Sequence, residues 1–164
     1  MLSRLAAERA ISVQVASAGI LPGGLPLPTE TQDALRGLGY DRSDLHSYRS
    51  RQFTDGLVVG ADLVIGLARE HLREVTVRVP QAWDRTFTLK ELVRRGEAAG
   101  RREPDEALST WLAKVGANRN RQDLLGSSDT DDVADPIGGP PSAFEQTATE
   151  IRGLCLALTN AIWP

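Results

Sequence analysis

Three aspartates stand close together in the stretch Asp131-Asp132-Val133-Ala134-Asp135-Pro136-Ile137-Gly138-Gly139-Pro140-Pro141-Ser142-Ala143-Phe144-Glu145. A carboxylate can give or take a proton, accept N–H groups or hold a cation. Pro136 stiffens the backbone after Asp135, and the two glycines and two further prolines cannot build a core, so the segment reads as a loop that holds a carboxyl group over a cleft. On residue type alone Asp131, Asp132 and Asp135 are alternatives for that role, and all three could equally cap a turn.

The other reactive side chains are few. Cys155 is the only cysteine, which excludes an internal disulfide framework. It lies in the series Phe144, Ala148, Ile151, Cys155, Leu158, Ile162, which steps alternately four and three residues, so it belongs to the buried face of a helix, where a thiol is inert. His46 is crowded with Tyr48, Arg49 and Arg51 in a polar stretch and reads as a surface residue. The two histidines are not spaced as metal ligands, so neither metal nor cofactor is expected.

A chain of 164 residues, 41% hydrophobic and 25% charged, is long enough for one domain with its own core. A net charge of -3 gives no reason to expect nucleic acid or an acidic membrane surface as partner. The apolar runs, such as Leu63 to Leu67, are too short to span a bilayer, and no signal-peptide core opens the sequence, so a cytoplasmic location is expected.

The elements that must position these residues follow from periodicity. Leu2, Leu5 and Ala6 predict an opening amphipathic helix without a capping residue before it. Ile11, Val13 and Val15 alternate with polar or small residues and predict a strand closed by Ser17-Ala18-Gly19. Leu21 to Pro28 is a proline-rich loop, Thr29 is a candidate cap for a helix ending at Gly39, and Asp41 to Arg51 reads as irregular. Ala61 to Leu67 has the unbroken apolar character of a buried parallel strand. Leu72, Val75 and Val79 predict a helix ending before Pro80, although Val75, Val77 and Val79 also alternate as a strand would. Arg85-Thr86-Phe87 predicts a strand, and Thr88 with Glu91 a capping box for the next helix. A helix over Asp105 to Val115, a polar linker over Asn118 to Asp129, and a last helix capped by Ser142 with Glu145 complete the chain. Strands alternating with helices make this an α/β three-layer domain with a small parallel sheet, whose ligands bind at the carboxyl ends of the strands.

Several of these pieces occur in the order found in the low-molecular-weight protein-tyrosine-phosphatase family. Ser17-Ala18-Gly19, Ala61-Asp62-Leu63-Val64, Arg85-Thr86-Phe87-Thr88-Leu89 and above all Asp132-Val133-Ala134-Asp135-Pro136 followed by Phe144-Glu145 resemble its landmarks. The resemblance covers residues 1–164 as one domain and implies a four-stranded sheet between helices. It implies a phosphomonoesterase acting through a phosphocysteine intermediate on a phosphorylated protein (phosphotyrosine) or a small aryl phosphate. Asp135 becomes the general acid, and Ser17 supports the phosphate-binding loop. Arg51 is a weaker candidate near the cleft. The family's Cys-x5-Arg signature matches nothing here; Met1 to Glu8 resembles the helix that follows it. The expectation is a domain incomplete at its N-terminus, lacking its central first strand, nucleophile and phosphate-binding arginine, and inactive by itself. Arg4 and Arg9 fall within the helix body and do not replace that arginine. Ile137 and Gly138 stand where family members selective for phosphotyrosine often carry aromatic residues. Two other readings are a non-catalytic phosphatase-like binding domain and an arsenate reductase, the last opposed by the lone, core-facing Cys155.

Overall fold

A computed structural model describes residues 1–163. The sheet has two parallel strands, β1 (Val64–Gly66) and β2 (Thr86–Thr88), in the register Val64 to Thr86, Ile65 to Phe87 and Gly66 to Thr88. Among the described residues eight α-helices surround them: α1 (Leu2–Glu8), α2 (Thr29–Gly37), α3 (Arg42–Ser47), α4 (Asp55–Val59), α5 (Arg69–Arg78), α6 (Leu89–Ala99), α7 (Leu108–Val115) and α8 (Pro141–Ile162). Short 3₁₀ turns lie at Pro80–Arg85 and Arg121–Leu124. No helix among the described residues is long and apolar enough to cross a membrane.

Alternation along β1 divides the core into two layers. Leu63 and Ile65 pack into the larger cluster, with Phe87, Leu89, Leu92, Trp111, Leu112, Leu158 and Ile162 from β2, α6, α7 and α8. Val64 points the other way, onto Val58, Val75, Val79 and Ala82 around α4 and α5. Helices therefore cover both faces of the sheet, the mixed α/β architecture expected of a short parallel pair buried on two sides. The helix alternative for residues 69–78 is the one adopted, because only a helix buries Leu72 and Val75 together while leaving Val77 exposed. Gly66 permits the tight connection from β1 into α5: a Cβ there would meet Leu72 Cδ1 at 2.6 Å and His71 Cβ at 3.0 Å.

The expected strand over Ile11 to Ala16 does not form. Its alternation is real, but a strand needs a neighbour for its N–H and C=O groups, and the only parallel bridge nearby, Gly19 to Gln52, lies beyond it. Val13 and Val15 consequently remain exposed. Two of the expected caps lie inside their helices. Thr29 is the first helical residue of α2, after Pro28, and Ser142 lies inside α8, whose first position is taken by Pro141. Proline suits that position because its missing N–H is one the helix could not have used. Asp41 caps α3 through Ser43 N at 2.8 Å, so the stretch read as irregular holds a helix. Thr88 does cap α6, accepting Glu91 N at 3.1 Å.

The Glu91 side chain, instead of returning to the cap, binds Arg119. Arg119 Nε lies 2.8 Å and Nη2 3.2 Å from the two carboxylate oxygens, and the guanidinium also donates to Thr86 O at 2.7 Å and Trp83 O at 3.1 Å. The Trp83 and Phe87 ring centroids each lie 4.0 Å from its central carbon. With a side chain only 3% exposed, Arg119 ties the second strand, the turn before it and α6 into one unit. Arg95 Nε also lies 3.0 Å from Glu91 Oε1, so loss of Arg119 leaves Glu91 a cation, whereas loss of Glu91 strands the buried Arg119 charge. Glu91→Gln is therefore expected to cost about 3–5 kcal/mol in urea unfolding, and Arg119→Met with Glu91→Gln less than the sum of the two single changes.

Candidate active site

The acidic loop docks at the carboxyl end of β1. Val133 is buried and its N–H donates to Leu67 O at 2.8 Å. Asp132 spans the start of α5: Oδ1 accepts Arg69 N at 2.8 Å and Oδ2 accepts Ser128 N at 2.8 Å. The carboxylate thus satisfies an orphan N–H at a helix N-terminus, where negative charge is favoured. His71 supplies a second cap there, its Nδ1 accepting Leu67 N at 3.2 Å and Ala68 N at 3.1 Å. That interaction had no signal in the sequence beyond a histidine in the first turn of a helix.

Asp131 is buried between two guanidiniums, Oδ2 accepting from Arg69 Nη2 and Oδ1 from Arg94 Nη2, each at 2.8 Å. Burial pushes its pKa up, but the two arginine hydrogen bonds outweigh burial and hold the carboxyl below its ordinary value. The three aspartates, equivalent by residue type, are thereby separated. Asp131 and Asp132 are consumed in anchoring the loop to α5 and α6. Asp135 is exposed, and its one hydrogen bond, Oδ1 accepting Ile137 N at 3.0 Å, is local.

Asp135 is itself held by the turn that follows. Gly139 N donates to Pro136 O at 2.9 Å, and Gly138, third in that turn, has φ +83°, a value a side chain would resist. Thr147 of α8 donates to Ala134 O at 3.4 Å, fixing the other side. Ile137 projects from the turn and is 73% exposed.

Ser17 belongs to a separate polar group. Its hydroxyl lies 3.5 Å from Tyr48 Oη, and its carbonyl accepts Arg51 Nε at 3.2 Å. No hydrogen bond among the described residues joins this group to the Asp135 loop. Cys155 is buried on the inner face of α8, where burial raises the thiol above its ordinary pKa. Among the described residues, no group of three His, Cys, Asp or Glu side chains could hold a metal ion.

The sequence matches the profile described as low molecular weight phosphotyrosine protein phosphatase over residues 1–115. The chain belongs to this family. No curated protein matches the sequence closely enough to count as a relative. Among solved structures, it is similar to a low molecular weight protein tyrosine phosphatase from T. tengcongensis, with 24% identity, TM-score 0.67, and coverage of 96% of this chain and 83% of that one. The YwlE arginine phosphatase from Geobacillus stearothermophilus gives 22%, 0.64, 96% and 79% in the same order. Vibrio vulnificus Wzb in complex with benzylphosphonate gives 19%, 0.62, 95% and 82%. At these identities the likeness is one of fold. The acidic loop follows the part matched by the family profile.

The clamp on Asp131 makes a pH prediction. A carboxylate whose folded pKa is depressed contributes stability that is complete above its unfolded pKa, near 3.8, and is lost as pH falls through the lower folded value. Stability measured by urea unfolding should thus decline as pH drops below about 4, and Asp131→Asn should reduce that decline while costing about 1–3 kcal/mol at neutral pH.

Proposed function

We propose that these residues carry the acid half of a cysteine-dependent phosphomonoesterase site, in which Asp135 protonates the leaving oxygen and then activates water against a phosphocysteine. The carrying observation is the division of labour among the aspartates: Asp135 alone is exposed, while Asp131 and Asp132 are bound in the scaffold that aims it. A general acid must reach the leaving group, and only a carboxyl free of buried ion pairs can cycle its proton there. Family membership supplies the reaction class.

Cys155 is not the nucleophile. A thiol buried in an apolar helix interface, with its pKa raised, supplies little thiolate. As it is the only cysteine, the thiolate and the arginine that would cradle the phosphate are assigned to residues outside this sequence. Ser17, held by Tyr48 and Arg51, is assigned the support of that phosphate loop. The substrate is a phosphorylated protein or a small aryl phosphate. Exposed Ile137 offers an apolar wall rather than a stacking ring, so phosphotyrosine and phosphoarginine, the latter in view of the YwlE likeness, are both to be tried.

The deciding experiment begins with the in-frame codons upstream of Met1. They are expected to encode an apolar strand and Cys-x5-Arg, and the extended protein to hydrolyse an aryl phosphate, while residues 1–164 alone give no turnover. Asp135→Asn in the extended protein should lower kcat by about 10²- to 10⁴-fold with little change in substrate affinity, and Cys155→Ser should leave activity intact. A stop codon directly upstream, together with phosphopeptide binding but no hydrolysis, would establish the non-catalytic binding reading instead.

A further inference from the structure

The backbone of residues 67–69 joins the end of β1, the start of α5 and the acid loop. Leu67 O accepts Val133 N at 2.8 Å, and Arg69 N donates to Asp132 Oδ1 at 2.8 Å, so the loop grips this segment from both ends. The two N–H groups left over belong to Leu67 and Ala68. Both donate to His71 Nδ1, at 3.2 Å and 3.1 Å. One imidazole nitrogen therefore holds the residue whose carbonyl docks the loop.

The ring is set in place by the chain around it. His71 is the third residue of α5, the position from which a glutamate or glutamine side chain commonly reaches back to the N-cap N–H. The N-cap residue, Ala68, has no side-chain oxygen of its own, so the imidazole is the acceptor that this helix start relies on. Gly66 leaves the room: a Cβ there would lie 3.0 Å from His71 Cβ.

An imidazole nitrogen accepts an N–H only while it carries no proton, so this arrangement requires the neutral ring with its proton on Nε2. In the imidazolium both nitrogens donate. Nδ1–H would then face two other N–H groups at the positive end of a helix, an arrangement that cannot persist. The charged ring has somewhere to turn, since Glu70 Oε1 lies 3.9 Å from Nε2; among the described residues no other carboxylate comes within 4.0 Å of it. The charges nearby on the loop and on α5 are already engaged. Asp132 accepts Arg69 N and Ser128 N, Asp131 binds Arg69 and Arg94, and Arg73 donates to Leu124 O and Gly126 O. Protonation thus exchanges two backbone hydrogen bonds for one solvent-exposed ion pair, which is worth little.

We propose that His71 is a positioning residue for the acid loop: neutral, it fixes Leu67 and Ala68 so that Val133 docks, and protonated, it turns to Glu70 and loosens that docking. Histidine is the side chain whose charge ordinarily changes between about pH 5 and 8, whereas the Asp131 clamp responds only below about 4. The loop is therefore fully held in neutral solution and slackened in mild acid, before its own carboxylates begin to titrate. The consequence for turnover rests on Asp135 being the acid. The docking does not.

The test is amide hydrogen exchange in the ¹⁵N-labelled 164-residue chain, read as the protection of Val133 after correction for intrinsic exchange and compared with Leu158 in the core. Between about pH 8 and about pH 5 that protection is expected to fall about tenfold relative to Leu158, with the midpoint at which the His71 ring resonances titrate. At the neutral end, long-range ¹H–¹⁵N correlations of the ring should place the proton on Nε2. His71→Leu should show the low protection throughout. His71→Gln, whose amide oxygen accepts an N–H at either pH, should show the high protection throughout, and His46→Gln should leave the fall unchanged. Protection of Val133 that does not change with pH in the unaltered chain would reduce His71 to a plain helix cap and overturn the proposal. So would a proton found on Nδ1, a fall that persists in His71→Gln, or one abolished by His46→Gln. No turnover is read, so the result is independent of the role of Asp135.

Discussion

The ion pair between Glu91 and Arg119 holds together what the sheet alone cannot. Three residues in each strand make a short ladder, and a ladder that short leaves the elements around it free to shift. Arg119 bonds a carboxylate on α6 and two backbone carbonyls around β2, and its guanidinium lies over two aromatic rings. Arginine is suited to this because its flat, forked cation can hydrogen-bond in its plane and stack on both faces, which a lysine ammonium cannot do. The start of α6 is thereby set relative to the carboxyl ends of both strands, and the site inherits its frame from there.

From that frame the acid loop is hung by charge rather than by apolar packing. Arg94 reaches Asp131 from α6, and Arg69 reaches it from the first residue of α5. Asp132 closes the same helix start, and Val133 adds the one buried apolar contact. A loop so short of hydrophobic residues would otherwise have little to order it. The two anchoring carboxylates leave Asp135 exposed at a fixed place, the condition a proton donor requires.

Much of this was legible in the residues, and the exceptions share a cause. The α8 stripe from Phe144 to Ile162, the burial of Cys155, the helix over residues 69–78 and the Thr88 cap each depend on neighbours within a few positions, so their signals survive in a single sequence. The strand expected at Ile11 to Ala16 is not formed, because alternation states a preference while a strand exists only with a partner to pair. Asn118 to Asp129 read as a polar linker although it contains Arg119, the most buried cation of the frame; its partners lie 28 to 36 positions away.

By itself the sequence determined that this is an α/β chain with one core-facing cysteine, an acidic loop running into a long final helix, and the landmarks of a phosphatase family. Those are properties of local order and residue type. Only the tertiary structure decided which aspartate is free. Asp131, Asp132 and Asp135 differ in nothing but their neighbours, and those neighbours, Arg69 and Arg94 for the first and the Arg69 amide for the second, arrive from α5 and α6 once the chain has folded. A carboxylate's role follows from what meets it, and that is set by distances in space that spacing along the chain does not contain.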